Sequence, residues 1–317
     1  MDERLQTGIV VGVDGSAGSD QAVRFAALEA ARHGSGLLLV HVVPDLVTAA
    51  PPMSVLPDDL RREVEATARA LLAAAAETAA QTAAGVPVAQ AMPAGRTVPS
   101  LIHAAEHASH VVLGRETVPP VRRLVSGAVT LGVAARAPQS VVSVPASWSP
   151  ERSLRKVVAG YKSTPHSGEL LAVAFAEADA RHAHLVLVHA WALDGMYDDR
   201  IVTRTRREEW SRIARDGIEG ELGDLRTRYP GVPVEVRVVH GTASAALSEA
   251  TSDADLLVLV RRPHGFPPAI HLGSTARALL HAASCPVLVL PPQHAEHTDQ
   301  GAGRAAADLP LGAGQHH

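Results

Sequence analysis

Ile9-Val10-Val11-Gly12-Val13-Asp14-Gly15-Ser16 is a run of branched apolar residues that breaks on a glycine-rich, acid-bearing turn. A stretch so short, β-branched and apolar on both faces reads as a buried parallel strand. Residues 19–33 then carry a helical pattern and residues 37–43 a second apolar run, so the segment is a strand–helix–strand unit. That unit occurs twice. Residues 12–41 align with residues 160–189 at an offset of 148 (160 − 12), with Ala26/Ala174, Glu29/Glu177, Leu37/Leu185 and Val40/Val188 identical. Further on the offset is 146 (241 − 95), through Gly95/Gly241, Leu101/Leu247, Val112/Val258, Gly127/Gly273 and Pro145/Pro291. A repeat this long is a whole domain copied, because solenoid units run only ~20–50 residues.

Each copy alternates strands with amphipathic stretches. Strands are predicted at 9–13, 37–43, 86–91, 110–113 and 140–144, and again at 156–160, 185–190, 234–239, 255–260 and 286–290. Helices in the first copy are predicted at 19–33, 58–84, 98–108 and 128–136. The architecture is therefore α/β: two tandem domains, 1–147 and 148–292, each an open parallel sheet of five strands flanked by helices. Residues 145–152 form the linker, and 293–317, rich in Gly, Ala, His and Gln, are expected to be a disordered tail. Taken alone, head-to-tail duplication predicts a separate sheet for each copy.

Composition narrows the function. The 317 residues suit about two domains. Twenty-nine basic against 33 acidic residues give a net charge of −4, which removes the electrostatic case for nucleic acid or an anionic membrane. A single cysteine, Cys285, fits a reducing compartment, and no apolar run approaches the ~20 residues of a membrane span. A cytoplasmic protein is expected.

Ligands of open parallel sheets sit beyond the carboxyl ends of the strands, where the strand order reverses. In the first copy that places Asp14-Gly15-Ser16-Ala17-Gly18 opposite the loop running from Gly114 to Gly127. At these residues the chain resembles the universal stress protein family. The first strand with Asp14, the run Leu39-Val40-His41-Val42-Val43, and Leu272-Gly273-Ser274-Thr275-Ala276 followed by Cys285-Pro286-Val287 carry the likeness, which covers both copies. The resemblance implies the strand order 3-2-1-4-5 in each domain and pairing of domains or subunits through the last strand, with homodimers expected. It also implies ATP bound by an Asp after strand 1, by backbone just after the strand-2 His, and by a loop of pattern G-x2-G-x9-G-[ST].

Transferred residue by residue, the first copy offers Asp14, Val42, Gly114 and Gly127, but Thr117 replaces the second glycine and Ala128 the hydroxyl residue. Pro119 and Pro120 remove two amide donors from that loop. The second copy keeps Gly273 and Ser274 but has Lys162 in the Asp position and Val260 and Pro263 for the first two glycines. A lysine cannot accept the hydrogen bond a carboxylate accepts. Weakened ATP binding in the first domain, none of the usual kind in the second, and a non-enzymatic sensor or adaptor role with a protein partner follow as expectations. A slow ATPase switch using Glu116, or a pure interaction module, are the alternatives.

Other constellations point elsewhere. Lys162, Arg261, Arg262 and the start of the helix at Gly273-Ser274 could converge on an anion, although loop-mouth charges are usually solvated. His103-Ala104-Ala105-Glu106-His107 matches the H-x-x-E-H zinc pattern, against an ordinary accident among 17 histidines, and no metal site is expected. His41 and His189 recur at the end of strand 2, where a histidine bonded to backbone is expected, and Cys285 is expected to be buried and inert.

Overall fold

In the computed structural model, residues 8–43, 58–116, 123–162, 167–192, 206–261 and 272–292 are described. They form ten strands and nine helices in two repeats of the same plan, the second with one additional short helix. The first comprises β1 (Ile9–Gly12), α1 (Ala17–His33), β2 (Leu37–Val40), α2 (Asp58–Thr82), β3 (Val88–Ala91), α3 (Thr97–Ala104), β4 (His110–Arg115), α4 (Arg123–Arg136) and β5 (Ser140–Pro145). The second comprises β6 (Lys156–Gly160), α5 (Ser167–Ala180), β7 (His184–Trp191), α6 (Arg207–Glu221), α7 (Gly223–Arg228), β8 (Val234–His240), α8 (Ala243–Ala250), β9 (Leu256–Val260), α9 (Ser274–Ala282) and β10 (Val287–Leu290). The predicted disordered tail lies outside the described residues, as do Thr117, Pro119, Pro120, Arg262 and Pro263.

The strands run in the order β3-β2-β1-β4-β5-β10-β9-β6-β7-β8. Each half therefore has the order 3-2-1-4-5, as the resemblance implied. All pairings are parallel except one, the antiparallel β5–β10 pair through Val141↔Val289, Val142↔Leu288 and Ser143↔Val287. The expectation of separate sheets is thereby corrected. An unpaired fifth strand would leave a row of bare amides and carbonyls in each half, and pairing the two edges removes both.

Strand residues alternate between two cores. Ile9, Val11, Leu37, Leu39, Val142 and Leu288 pack under α1, α2 and α5, whereas Val10, Val40, Val111, Val141 and Val287 pack under α3, α4, α8 and α9. Both cores take residues from both repeats, so helices cover the sheet on each face. The Ala-rich α2 is a packing helix: Ala68, Leu72, Ala75 and Ala79, spaced at helical intervals, are buried. Among the described residues no helix is long and apolar enough to cross a membrane.

Three contacts lock the repeats together. Arg115 Nη2 donates to the Ala283 carbonyl at 2.6 Å, and its repeat counterpart Arg261 Nη1 donates to the Ala134 carbonyl at 2.8 Å. Each guanidinium thus satisfies a carbonyl near the carboxyl end of a helix in the other half, where cations are favoured. At the opposite end of the strands, Arg181, just past α5, pairs with Glu177 of that helix and with Glu29 of α1 at 2.8 Å, and the side chains of all three are at most 10% exposed. Trp148, in the linker, sets its ring edge-on to Phe25 of α1 at 5.4 Å.

Candidate functional site

Two clefts open at the carboxyl ends of the central strands, one per repeat. The first, about 660 Å³, has an apolar wall of Val40, Val42, Leu101, Leu113 and Val129 and a polar end at Asp14, Ser16 and Glu116. The chain builds that end with local hydrogen bonds. Gly15 takes φ +77°, so the turn after Val13 reverses at a residue without a Cβ. Asp14 Oδ1 accepts the Ser16 N–H at 3.0 Å, and Ser16 Oγ accepts the Ser19 N–H at 3.1 Å as the cap of α1. Ser19 Oγ in turn accepts the Asp14 N–H at 3.2 Å. Glu116, just past β4, reaches across and accepts the Gly18 N–H at 2.9 Å.

The positions named from sequence separate here. Asp14, Val42 and Gly114 line the first cleft. The His41 and Val43 amides are committed to the Ala91 and Pro93 carbonyls of the β3 side. Extended backbone turns the Val42 amide the other way, toward β1. Gly114 lies within β4, paired to Val144, and not in a loop. A Cβ there would sit 2.2 Å from the Gly18 carbonyl carbon, so the glycine is needed for α1 to cross the strand. Gly127 is the fifth residue of α4, which starts five residues before the predicted 128, so it does not mark the helix start. Its neighbours Val129 and Thr130 form the cleft wall, and Thr130 Oγ1 donates to the Gly114 carbonyl at 3.4 Å.

The second cleft, about 350 Å³, is lined by Lys162, Ser167, Val188, Leu259, Gly273 and Ser274 among others. Lys162 is exposed, and its carbonyl accepts the Ser167 hydroxyl at 2.8 Å. The predicted convergence of Lys162 with Arg261 is not found: Arg261 is buried between the repeats, bonded to Ala134. Its guanidinium loses basicity through burial.

The two recurring histidines do the same job twice. His41 Nδ1 donates to the Val13 carbonyl at 2.7 Å, and His189 Nδ1 to the Tyr161 carbonyl at 3.3 Å, each tying the end of strand 2 to the end of strand 1. Burial and then the nearby Lys162 charge lower the His189 pKa against the raising effect of that carbonyl. The H-x-x-E-H pattern is broken by the fold, because α3 ends at Ala104 and leaves Glu106 and His107 beyond it, with His103 largely exposed. Cys285 is buried, and desolvation pushes its thiol up to about 12. The sequence reading missed the Glu29–Arg181–Glu177 knot. Its only trace there is an identical glutamate in both copies.

A doubly wound α/β unit with a cleft at its switch point, duplicated and joined through its fifth strands, defines the class of the protein. A model described as "Universal stress protein family" matches residues 7–145 and again 153–291. A universal stress protein of Mycobacterium tuberculosis H37Rv is 31% identical over 297 residues, covering 90% of this chain and 97% of its own. A second from the same strain is 31% identical over 309 residues, covering 90% and 96%. The chain belongs to the universal stress protein family. The fold is likewise that of a solved universal stress protein from Archaeoglobus fulgidus DSM 4304, with TM-score 0.65, 18% identity, and coverage of 90% of this chain and 98% of that one.

Proposed function

We propose that the protein is a cytoplasmic, non-enzymatic stress-response sensor or adaptor whose first cleft binds an adenine nucleoside or nucleotide and whose second cleft does not. The observation that carries this reading is the first cleft itself: an apolar slot of about 660 Å³ at the switch point, with Asp14 at one end and the Val42 backbone beside it. Gly114 lines the same cleft, and Gly127 stands in the sequence where the family pattern has the third glycine of its phosphate loop. In the second cleft Lys162 supplies a cation where an acceptor is required.

The case against catalysis rests on what the polar groups already do. Ser16, Ser19, Asp14 and Glu116 all hold backbone amides of the β1–α1 turn, and His41 holds a carbonyl. None is thereby presented as an activated nucleophile or as the base of one. A ligand in the slot would bias the turn and the adjoining helix surfaces that a protein partner reads, and a homodimer would present two such surfaces.

Isothermal titration of the full chain with adenosine, AMP and ATP, with Asp14→Ala as control, tests the reading. Saturable heat that weakens about tenfold or more in D14A is expected, about 1.4 kcal/mol and in the range of a hydrogen bond to a charged group. No heat with any of the three would leave the pure interaction module. Phosphate release from ATP that stops in Glu116→Gln would install the hydrolytic switch instead.

A further inference from the structure

The repeat reverses charge at two positions. Asp14 and Glu116 stand where the second copy carries Lys162 (14 + 148) and Arg262 (116 + 146). Both acids line the first cleft and Lys162 lines the second. Glu116 is fixed in place: its Oε1 accepts the Gly18 N–H at 2.9 Å in the first turn of α1, a 17-residue helix. The amino end of such a helix with its outward amides is where a phosphate would ordinarily be held. Here a carboxylate belonging to the chain already occupies that position. Among the described residues lining this cleft there is neither lysine nor arginine to offset it.

The rest of the slot favours a different ligand. Val40, Leu101, Leu113 and Val129 offer an apolar wall to a ring, and the Asp14 side chain offers oxygens suited to sugar hydroxyl donors. An anion placed against Glu116 meets like charge at short range in a partly dry site, where repulsion is strongest. We propose that the first cleft selects an unphosphorylated nucleoside and that Glu116 excludes the phosphates of a nucleotide. This rests on the reading of the cleft as a nucleoside site and names the ligand class within it.

Titrating adenosine, AMP and ATP into the full chain at one ionic strength, with and without magnesium, tests it before any variant is made. Adenosine should bind about tenfold or more tightly than ATP, with AMP between. ATP binding as tightly as adenosine in either buffer overturns the proposal while leaving the nucleoside reading intact. Failure of all three ligands removes that reading first. Glu116→Gln retains an oxygen for the Gly18 amide and loses the charge, and it should shrink the adenosine-to-ATP ratio about fivefold or more. A ratio unchanged in folded E116Q overturns the role given to Glu116. Glu116→Arg, matching the second copy, should invert the order.

Discussion

Replacing Arg181 with methionine keeps most of the aliphatic stem and removes the guanidinium that bridges Glu29 and Glu177 between the repeats. The side chains of all three are at most 10% exposed, so solvent cannot take over the lost role. Removing one partner of a buried pair costs ~3–5 kcal/mol because the other charge stays behind uncompensated. The Glu29 carboxyl responds to the same knot together with its helix neighbours. Burial pushes it up, but the hydrogen bond with His33 and the charges of Arg181 and Arg32 more than reverse this and bring it from 4.5 to about 2. At roughly 1.4 kcal/mol per pH unit, that difference contributes about 3 kcal/mol at neutral pH, shared among His33, Arg181 and Arg32. Because the folded-state value lies below the unfolded one, the contribution is complete above about pH 4.5 and disappears as the pH falls toward 2. Urea unfolding at pH 7, followed by the fluorescence of the three tryptophans, of which Trp148 packs on Phe25, should show R181M less stable by about 3 kcal/mol. Adding Glu29→Gln and Glu177→Gln should restore at least half, because the charges rather than the missing contacts carry the cost. A loss under about 1 kcal/mol, or no recovery in the triple variant, refutes the reasoning.

Four further outcomes follow from the packing. Gly114→Ala should destabilise by about 2 kcal/mol or more in the same assay, since its Cβ would meet the Gly18 backbone at 2.2 Å. Gly217→Ala, in open space on exposed α6, should instead stabilise by ~0.5–1 kcal/mol. Ser143 is fully buried at the β5–β10 join and its hydroxyl has no partner, so Ser143→Ala should raise stability by ~1 kcal/mol, read as a higher urea midpoint at constant slope. Cys285, with its thiol at about 12, should resist a thiol reagent at pH 8 in the native protein and react at once in denaturant.

The fold was legible because periodicity and duplication are local signals. Four-residue apolar strands, helical stripes and the 148-residue offset all survive in the bare chain. The order of the strands was not so visible and came only with the family likeness, because a parallel pairing leaves no mark on the residues that make it. The site divides in the same way. Asp14 and Lys162 could be placed at cleft mouths from a strand followed by a turn. Gly114 read as a loop glycine, but its need is a close approach by a helix nearly a hundred residues earlier in the chain. Arg261 read as a free cation beside the second cleft, yet it is bonded to the other repeat. Nothing in its own neighbourhood of the sequence distinguishes the two.

What the duplication kept and what it let go follow from the partners each residue has. Arg115 and Arg261 are identical and reciprocal, each serving a carbonyl of the other half. Changing either alone leaves a buried acceptor bare, which costs more than the bond gains. Glu29 and Glu177 are identical too, but two facing carboxylates need only one bridging cation. Arg181 supplies it, while the equivalent place in the first repeat is His33, which approaches Glu29 at 3.6 Å and is half in solvent. Arg32, more exposed, adds a second cation to Glu29 from its own helix. Among the described residues the cleft mouths have no such reciprocal partner. Asp14 could become Lys162 without stranding a group in the other repeat, so the cleft mouths were free to take opposite charge in the two halves while the join between them stayed fixed.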